Sequence, residues 1–415
     1  MFNKLSRTFQ ALLPGIFLLG FNIGTGSVTA MAKAGATYGM SLLWTILLSC
    51  MVTYFMIVNY GRFTLVTGET ALYSFRRHIH PGLGIFFIIA LTTAVSASVI
   101  GVMGIIVDIC AEWSKLYVPG GIHPLYFAAV FIGLVYLIFW KGTTQVFQRA
   151  LAVIVAVMAG SFILNFFILS PPPVEILKGM IPNIPEVPED LGRGPFLVIA
   201  AMVGTTVFSG LFIIRTTLVK EAGWTLADLR IQKRDALVSS LMMFIISATI
   251  MAAAAGTLYV NRLGLSHASQ MIELLEPLAG RLATAIFVSG IVAAGLSSQL
   301  PNVLLLPWLL CDYNGSEREM RLPRYRIVVL LISLLGFTVP LLKAPPVPVM
   351  IASQVFSAII LPVTVLAILY LGNRRRLMGE HANRPATNVI LALILLFALY
   401  MCGVGLRGFW VTLFH

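Results

Sequence analysis

"GFNIGTGSVTAMAKAG", from Gly20 to Gly35, places glycines inside an apolar run that is long enough to cross a membrane. The residues Gly24, Thr25 and Gly26 lie near the middle of that run. Glycine weakens a helix by about 1 kcal/mol relative to alanine. The stretch therefore predicts a membrane-spanning helix that is interrupted at mid-depth.

The composition indicates a membrane protein. Of the 415 residues, 59% are apolar and only 11% are charged, whereas soluble domains carry about 25% charged residues. Apolar runs long enough for a membrane helix, about 20 residues, recur along the whole chain. We therefore expect an all-α integral membrane protein with one transmembrane domain over residues 1–415 and no separate soluble domain.

Eleven membrane spans are predicted and are numbered 1 to 11 in chain order. They lie at about 12–36, 38–61, 82–110, 124–140, 146–170, 195–218, 236–259, 281–310, 327–342, 347–372 and 387–411. With the N-terminus in the cytoplasm, the inward segments hold 20 of the 28 Lys and Arg residues and the outward segments hold 8. This asymmetry follows the positive-inside rule, so the net charge of +12 reflects orientation and does not indicate nucleic acid. The expected partners are the bilayer and a small solute or metal ion, no cofactor is expected, and the expected location is the inner (cytoplasmic) membrane.

Three connecting segments carry structural expectations. The prolines of segment 171–194, on the outward side, argue against regular helix there. Segment 220–234 mixes apolar residues with charges and is expected to lie along the cytoplasmic interface. A short outer helix is expected around 266–278.

A weak internal repeat links spans 1 and 6. "NIGTGSVTAM" in span 1 and "MVGTTVFSGLFI", Met202 to Ile213, both place glycines at mid-span and stand five helices apart. An odd repeat length makes the second copy inverted, which gives repeats at about 12–170 and 195–372 and an extra helix at 387–411. Paired interruptions in inverted halves indicate a transporter binding site. The alternative is that the glycines only allow close helix packing.

Several stretches resemble the NRAMP superfamily of divalent-metal transporters. They are "AGATYGMSLLWTILLS" from Ala34, "LVTGE" from Leu65, "VGTTVFSGLFIIRTTLVK" from Val203, "AAGLSSQL" from Ala293 and "SQVFSAIILPVTVLAILYL" from Ser353. The resemblance covers nearly the whole chain in matching span order. It implies the LeuT-type fold, with two inverted five-helix repeats plus one extra helix, and secondary transport of a divalent metal cation, of the magnesium or manganese type, by alternating access.

The chain departs from the family where metal is bound. The family's Asp-Pro-Gly-Asn in span 1 aligns with Gly24, Thr25, Gly26 and Ser27, so its carboxylate and amide are absent. In span 6 the family's Met-Pro-His aligns with Phe208, Ser209 and Gly210. A histidine one turn later is Arg215, the acidic pair of span 3 aligns with Val95 and Ser98, and the glutamine of span 10 is kept as Gln354.

The titratable residues do not supply a replacement site. None of the sixteen acids and none of the six histidines can be placed at the two interruptions, which offer Thr25, Ser27, Ser209, Gln354 and backbone carbonyls. Neutral ligands make a dehydrated Mn²⁺ or Fe²⁺ site unfavourable. A loosely held, partly hydrated Mg²⁺ is compatible with them, since Mg²⁺ usually keeps several waters.

The alternative that the site binds an anion in place of a cation stays open. Half-helix N-termini present partial positive charge to the site, and Arg215 adds a full charge with no evident acidic neighbour. This favours a small carboxylate or zwitterionic solute, against which Phe208 would pack. The alternatives are that Arg215 extends to the cytoplasm from the inner end of span 6 and that Phe208 only fills space.

Ser297 and Ser298 of span 8 suggest a sodium site, since hydroxyls there, with carbonyls of the span 1 interruption, hold Na⁺ in LeuT-type transporters. The alternative is that they bond their own backbone. A membrane enzyme is not expected, because the spans offer no convergent acids, histidines or activated nucleophile. A sensor that kept the fold and lost the site is a third alternative.

Overall fold

The computed structural model describes residues 15, 17–115, 117–141, isolated positions between 153 and 167, 171–185, 195–260, 265, 276–318, 320 and 322–414. These residues form helices joined by short connections, with no β-strand in the described part of the chain. Eight helices are long and apolar enough to cross a membrane within that part. The protein is therefore a multi-pass, all-α membrane protein.

The spans agree with their predicted positions to within a few residues at most ends. Spans 2, 3 and 4 are Leu43–Thr67, Pro81–Ser114 and Pro124–Lys141. Spans 7, 8, 10 and 11 are Leu229–Ala254, Glu276–Asn314, Pro346–Asn373 and Pro385–Phe414. Span 9 is Pro323–Leu334, a 3₁₀ turn at Leu335–Phe337 and Thr338–Leu342. Span 5, predicted at 146–170, lies largely outside the described residues, as does most of the outer helix expected at 266–278. The repeat boundaries stay a prediction.

Spans 1 and 6 are both interrupted. Span 1 is helical over 17–22, opens at Ile23 and Gly24, and resumes as Thr25–Tyr38. Span 6 runs as Phe196–Thr206, opens at Val207 and Phe208, and resumes as Ser209–Glu221. The interruptions lie within a residue or two of the positions that the glycines predict.

The interrupted spans lie inside the bundle. Of the most apolar 18-residue stretch of span 6, 94% is buried inside the protein. The corresponding value for span 11 is 33%. Span 10 packs against span 3, span 11 and the first half of span 6, while span 7 packs against span 2 and the second half of span 1. The apolar character of span 6 therefore serves protein packing, and span 11 lies at the periphery.

One local expectation is wrong, and the interfacial position expected for segment 220–234 stays a prediction. Segment 171–194 contains the helix Pro173–Gly179, because Pro173 stands in the first turn, where a missing N–H costs nothing. Segment 220–234 overlaps the helix of span 7, which begins at Leu229. After a capping box between Thr225 and Asp228, the helix starts at Leu229 and continues into the membrane.

The carbonyl exposed by the span 6 interruption is bonded across the bundle. In a continuous helix Thr206 would accept from residue 210. Here its carbonyl oxygen accepts from Thr53 Oγ1 of span 2 at 2.8 Å and from Asn22 Nδ2 of span 1 at 3.2 Å. Both side chains are buried. An interruption at membrane depth requires such partners, since no water is present there to bond the backbone.

We expect Thr53→Val to destabilise the protein by about 1–3 kcal/mol, because it removes one donor from a buried carbonyl while keeping the side-chain shape. The control is Thr93→Val in span 3, whose hydroxyl is exposed and bonds its own Ile89 carbonyl at 2.9 Å. Thermal unfolding of the purified protein in detergent measures both. Equal midpoints for the two variants would contradict the role assigned to Thr53.

Candidate functional site

A small cavity of about 40 Å³ lies where the two interruptions meet. Five helices enclose it: spans 1, 3, 6, 8 and 10. Its lining consists of Phe21, Asn22, Gly24, Gly26, Ser27, Ala94, Val95, Ser98, Thr205, Phe208, Ser298, Asn302, Met350, Gln354 and Ser357. None of these residues is charged, so the polar lining consists of hydroxyls, carboxamides and backbone groups.

Most of the predicted site residues line this cavity. They are Gly24, Gly26, Ser27, Phe208 and Gln354, together with Ser298 of the predicted sodium pair. Phe208 packs edge-on against Phe21 with ring centroids 5.4 Å apart, so its ring forms part of the wall. Gln354 is 8% exposed and donates from Nε2 to Ser353 Oγ at 3.2 Å.

Three predicted residues of the interruptions lie beside the cavity and are not part of its lining. Thr25 is fully buried and its hydroxyl has no hydrogen-bond partner among the described residues. Ser209 faces span 10, where its Oγ accepts from Thr364 Oγ1 at 2.7 Å. Gly210 lies against the Phe208 ring, at 2.6 Å from where its own Cβ would stand. It therefore allows the ring to fold back over the helix.

The sequence-based view of Arg215 needs correction, because its charge is neutralised. Its Nη1 donates to Asp235 Oδ2 of span 7 at 2.5 Å, and its Nη2 donates to the Gln232 carbonyl at 3.4 Å. Arg215 is fully buried and Asp235 is 1% exposed, so the arginine does not extend to the cytoplasm. Asp235 Oδ1 also accepts the Gly15 N–H at 3.0 Å. The pair therefore ties the second half of span 6 to span 7 and to the start of span 1.

The serine pair of span 8 lies beside the span 1 interruption, and the sodium site stays a prediction. Ser297 Oγ is 3.5 Å from the Ile23 carbonyl oxygen and donates to the Ala294 carbonyl at 2.9 Å. Ser298 Oγ donates to Ala294 at 3.1 Å. Both hydroxyl protons are thus taken by their own helix, and the oxygen lone pairs remain available.

The two glycines of span 1 also allow close packing. A Cβ on Gly24 would overlap the Ser298 side chain, and one on Gly26 would overlap the Met350 methyl and lie 2.6 Å from Gln354 Nε2. Interruption and close approach therefore coincide at these glycines. At Gly24, which aligns with the family's carboxylate, Ser298 occupies the space that a larger side chain would need.

Sequence reasoning missed two carboxamides of the cavity. Asn302 of span 8 donates from Nδ2 to Ser98 Oγ of span 3 at 3.3 Å. Asn22 is 6% exposed and stands two residues before Gly24. The sequence did offer one signal for Asn22, which is an amide side chain within the apolar first half of span 1. Polar side chains inside a membrane are usually functional.

The orientation of the Asn22 amide follows from its partners. Nδ2 donates to the Thr206 carbonyl at 3.2 Å and contacts Met243 Sδ at 3.2 Å. The reverse orientation would put two oxygens against each other. Oδ1 is consequently a buried acceptor with no partner among the described residues. Asn22 lines the cavity, but Oδ1 has almost no accessible surface in this conformation, so a donor or a cation would reach it only after a small movement of the side chain.

Interrupted helices that enclose a polar cavity inside a bundle of membrane spans are the architecture of a secondary transporter. Sequence comparison gives the family. Residues 16–406 match the family model described as "Natural resistance-associated macrophage protein-like". The chain therefore belongs to the Nramp family, as its sequence resemblance predicted.

The chain is similar to proteins named "Divalent metal cation transporter MntH". It is 22% identical over 413 residues to the protein of Caldanaerobacter subterraneus subsp. tengcongensis, which covers 97% of this chain and 93% of the relative. It is 24% identical over 402 residues to that of Acidiphilium cryptum, with 92% and 88% covered. These relatives are transporters, which confirms that the protein is not an enzyme.

The fold is similar to crystal structures of the Eremococcus coleocola manganese transporter. A variant of that protein superposes with a TM-score of 0.77 at 15% identity, covering 97% of this chain and 86% of the other. Its complex with an aromatic bis-isothiourea substituted compound gives 0.75 at 15% identity, covering 98% and 88%. The likeness confirms the LeuT-type fold.

We expect Arg215→Met to cost about 3–5 kcal/mol, because it leaves the Asp235 carboxylate buried and unpaired. Adding Asp235→Asn should recover part of that loss, since Asn keeps an acceptor for Gly15 and removes the charge. Thermal unfolding measures the three proteins. Lys115→Met is the control, because its exposed pair with Glu112 is worth about 1 kcal/mol or less. A double variant that is less stable than Arg215→Met would contradict the pairing.

Proposed function

We propose that this protein is a secondary transporter that carries a small, partly hydrated divalent metal cation across the inner membrane by alternating access. The proposed binding site is the cavity between the two interruptions. The observation that carries the proposal is the size and lining of this cavity: it has room for an ion, and its polar atoms are neutral oxygens and amides.

The volume favours an ion over an organic solute. A water molecule needs roughly 10–15 Å³ of such space, so about 40 Å³ accommodates an ion or about three waters. Pockets for organic ligands measure about 300–1,000 Å³. An organic substrate would require this site to expand severalfold in another conformation.

The absence of acid from the lining indicates how the ion is held. The free energy needed to remove all water from a divalent ion is far larger than the free energy gained from neutral oxygen ligands without a carboxylate. Mg²⁺ usually keeps several of its waters when bound. Asn22 Oδ1 is a hard, uncommitted ligand for such an ion, and Gln354 and Ser27 line the same space. The names of the relatives, divalent metal cation transporters, support the same class of substrate.

A second candidate is a small carboxylate or zwitterionic solute, coupled to sodium through Ser297 and Ser298. One observation favours it: both half-helices begin at residues with no side-chain cap, Gly24 and Phe208, so their N–H groups can bind an anion. The ion pair of Arg215 with Asp235 weakens this candidate, because it removes the only full positive charge that the sequence assigned to the site.

We expect Asn22→Leu to reduce metal-ion uptake at least tenfold, since it replaces the free oxygen ligand with an apolar group. Uptake of Mg²⁺ and of Mn²⁺ into proteoliposomes is measured separately, in sodium and in choline medium. The control is Gln299→Leu, a buried carboxamide of span 8 outside the cavity lining. Equal uptake by both variants would contradict the site, whereas saturable, metal-independent uptake of a small carboxylate would favour the second candidate. Uptake that is unchanged in choline would exclude sodium coupling.

We expect Gly24→Asp, with Ser27→Asn and Phe208→Met, to restore tight Mn²⁺ binding only when Ser298→Gly is added. The reason is steric: a Cβ at position 24 would overlap both Oγ and Cβ of Ser298, so only glycine at position 298 leaves room for it. Titration calorimetry of the triple and quadruple variants measures this. Binding by the triple variant as tight as by the quadruple variant would contradict the described packing, and absence of binding in a folded quadruple variant would contradict the site.

A further inference from the structure

A second cavity, of about 340 Å³, lies away from the interruptions, at the end of span 2 and the start of span 7. This is the side that the charge distribution predicts to be cytoplasmic. The cavity is lined by Arg62, Leu226, Leu229, Lys233, Glu380, His381, Ala382, Arg384 and Thr387. Three elements therefore contribute: the end of span 2, the turn that opens span 7, and the linker between spans 10 and 11.

The lining carries an excess of positive charge. Arg62, Lys233 and Arg384 face the cavity together with a single acid, Glu380. Within the described part of the chain, none of these four residues belongs to an ion pair. Three cations that face a single acid leave a net positive charge, and an anion bound between them would stabilise it.

The cationic groups are held in place before any ligand binds. Arg62 Nη2 donates to the side-chain oxygens of Asn383 and of Asn59, while its Nε is buried without a partner among the described residues. The linker is fixed as well. Asn383 donates from its backbone N–H to the Gly372 carbonyl at 2.8 Å and from Nδ2 to Asn388 Oδ1 at 3.0 Å. The cavity is therefore preformed, and its arginine retains an unused donor.

We propose that this cavity binds a phosphate group at the membrane surface, either in the headgroup of an anionic phospholipid or in a free phosphorylated solute. Guanidinium groups bind phosphate through paired, charge-assisted hydrogen bonds. Basic pockets between membrane helices on the cytoplasmic side are suited to anionic headgroups. Leu226 and Leu229 add an apolar wall, which suits the start of a lipid's acyl chains.

The binding of a phosphate here would join the end of span 2 to the start of span 7. Both spans already hold the interrupted helices. Span 2 bonds the Thr206 carbonyl through Thr53, and span 7 bonds Gly15 and Arg215 through Asp235. Gln232, next to Lys233, donates to the Ile57 carbonyl of span 2 at 3.0 Å. A ligand in the cavity would therefore stabilise the support of the transport site without touching that site.

The test measures the thermal unfolding midpoint of the purified full chain while a ligand is titrated. One arm uses inorganic phosphate and pyrophosphate, and the other uses a short-chain phosphatidylglycerol with phosphatidylcholine as the zwitterionic reference. Arg62→Gln and Arg384→Gln are compared with the wild type. Arg375→Gln and Arg376→Gln are the matched controls, because they remove the same charge from exposed positions outside the cavity.

We expect the midpoint of the wild type and of both controls to rise with the anionic ligand, and the apparent affinity to fall about tenfold or more in Arg62→Gln and Arg384→Gln. A response to phosphatidylglycerol alone would identify a lipid, and a response to free phosphate as well would identify the phosphate group as sufficient. Equal responses in all four variants, or no response in either arm, would overturn the proposal. Arg384 is exposed, so Arg384→Gln keeps the test decisive if Arg62→Gln does not fold.

Discussion

The structure depends on how the bundle bonds the backbone of two helices that open inside the membrane. No water is present at this depth to hydrogen-bond an open turn of helix, so each freed carbonyl and N–H needs a protein partner or a polar cavity. The Thr206 carbonyl obtains two partners, Thr53 from span 2 and Asn22 from span 1. The same bond that satisfies the backbone of span 6 orients the Asn22 amide, whose oxygen then has no hydrogen-bond partner within the part of the chain that the structure describes.

The site's chemistry follows from where charge is neutralised. Asp235 is paired with Arg215 and accepts the Gly15 N–H, so it joins spans 1, 6 and 7 and is not part of the cavity lining. What remains around the cavity is neutral: amides, hydroxyls and helix ends. In the function that we propose, such a lining would hold a cation weakly and leave part of its hydration shell in place.

The sequence predicted the class of fold, the span order and both interruptions, because apolar run length, charge asymmetry and glycine placement are local signals. It also predicted that no acid stands at the interruptions. It did not predict the partner of Arg215, since Asp235 is twenty positions away and lies on another helix. Asn22 and Asn302 were missed because the resemblance to the family pointed to Gly24–Ser27. Neither amide belongs to the family pattern, and only the packing of the helices shows that both line the cavity. The helix at Pro173–Gly179 was missed because prolines were counted without their positions in the first turn.

The most direct test of the central claim, that two interrupted helices form a small, acid-free ion site, is an anomalous difference map from crystals of the wild-type protein soaked in Mn²⁺. We expect a peak between Gly24 and Phe208, within coordination distance of Asn22 Oδ1 and with ordered waters completing the shell. A continuous helix through either interruption, a carboxylate bound to the ion, or an organic molecule in the cavity with no metal peak would contradict it.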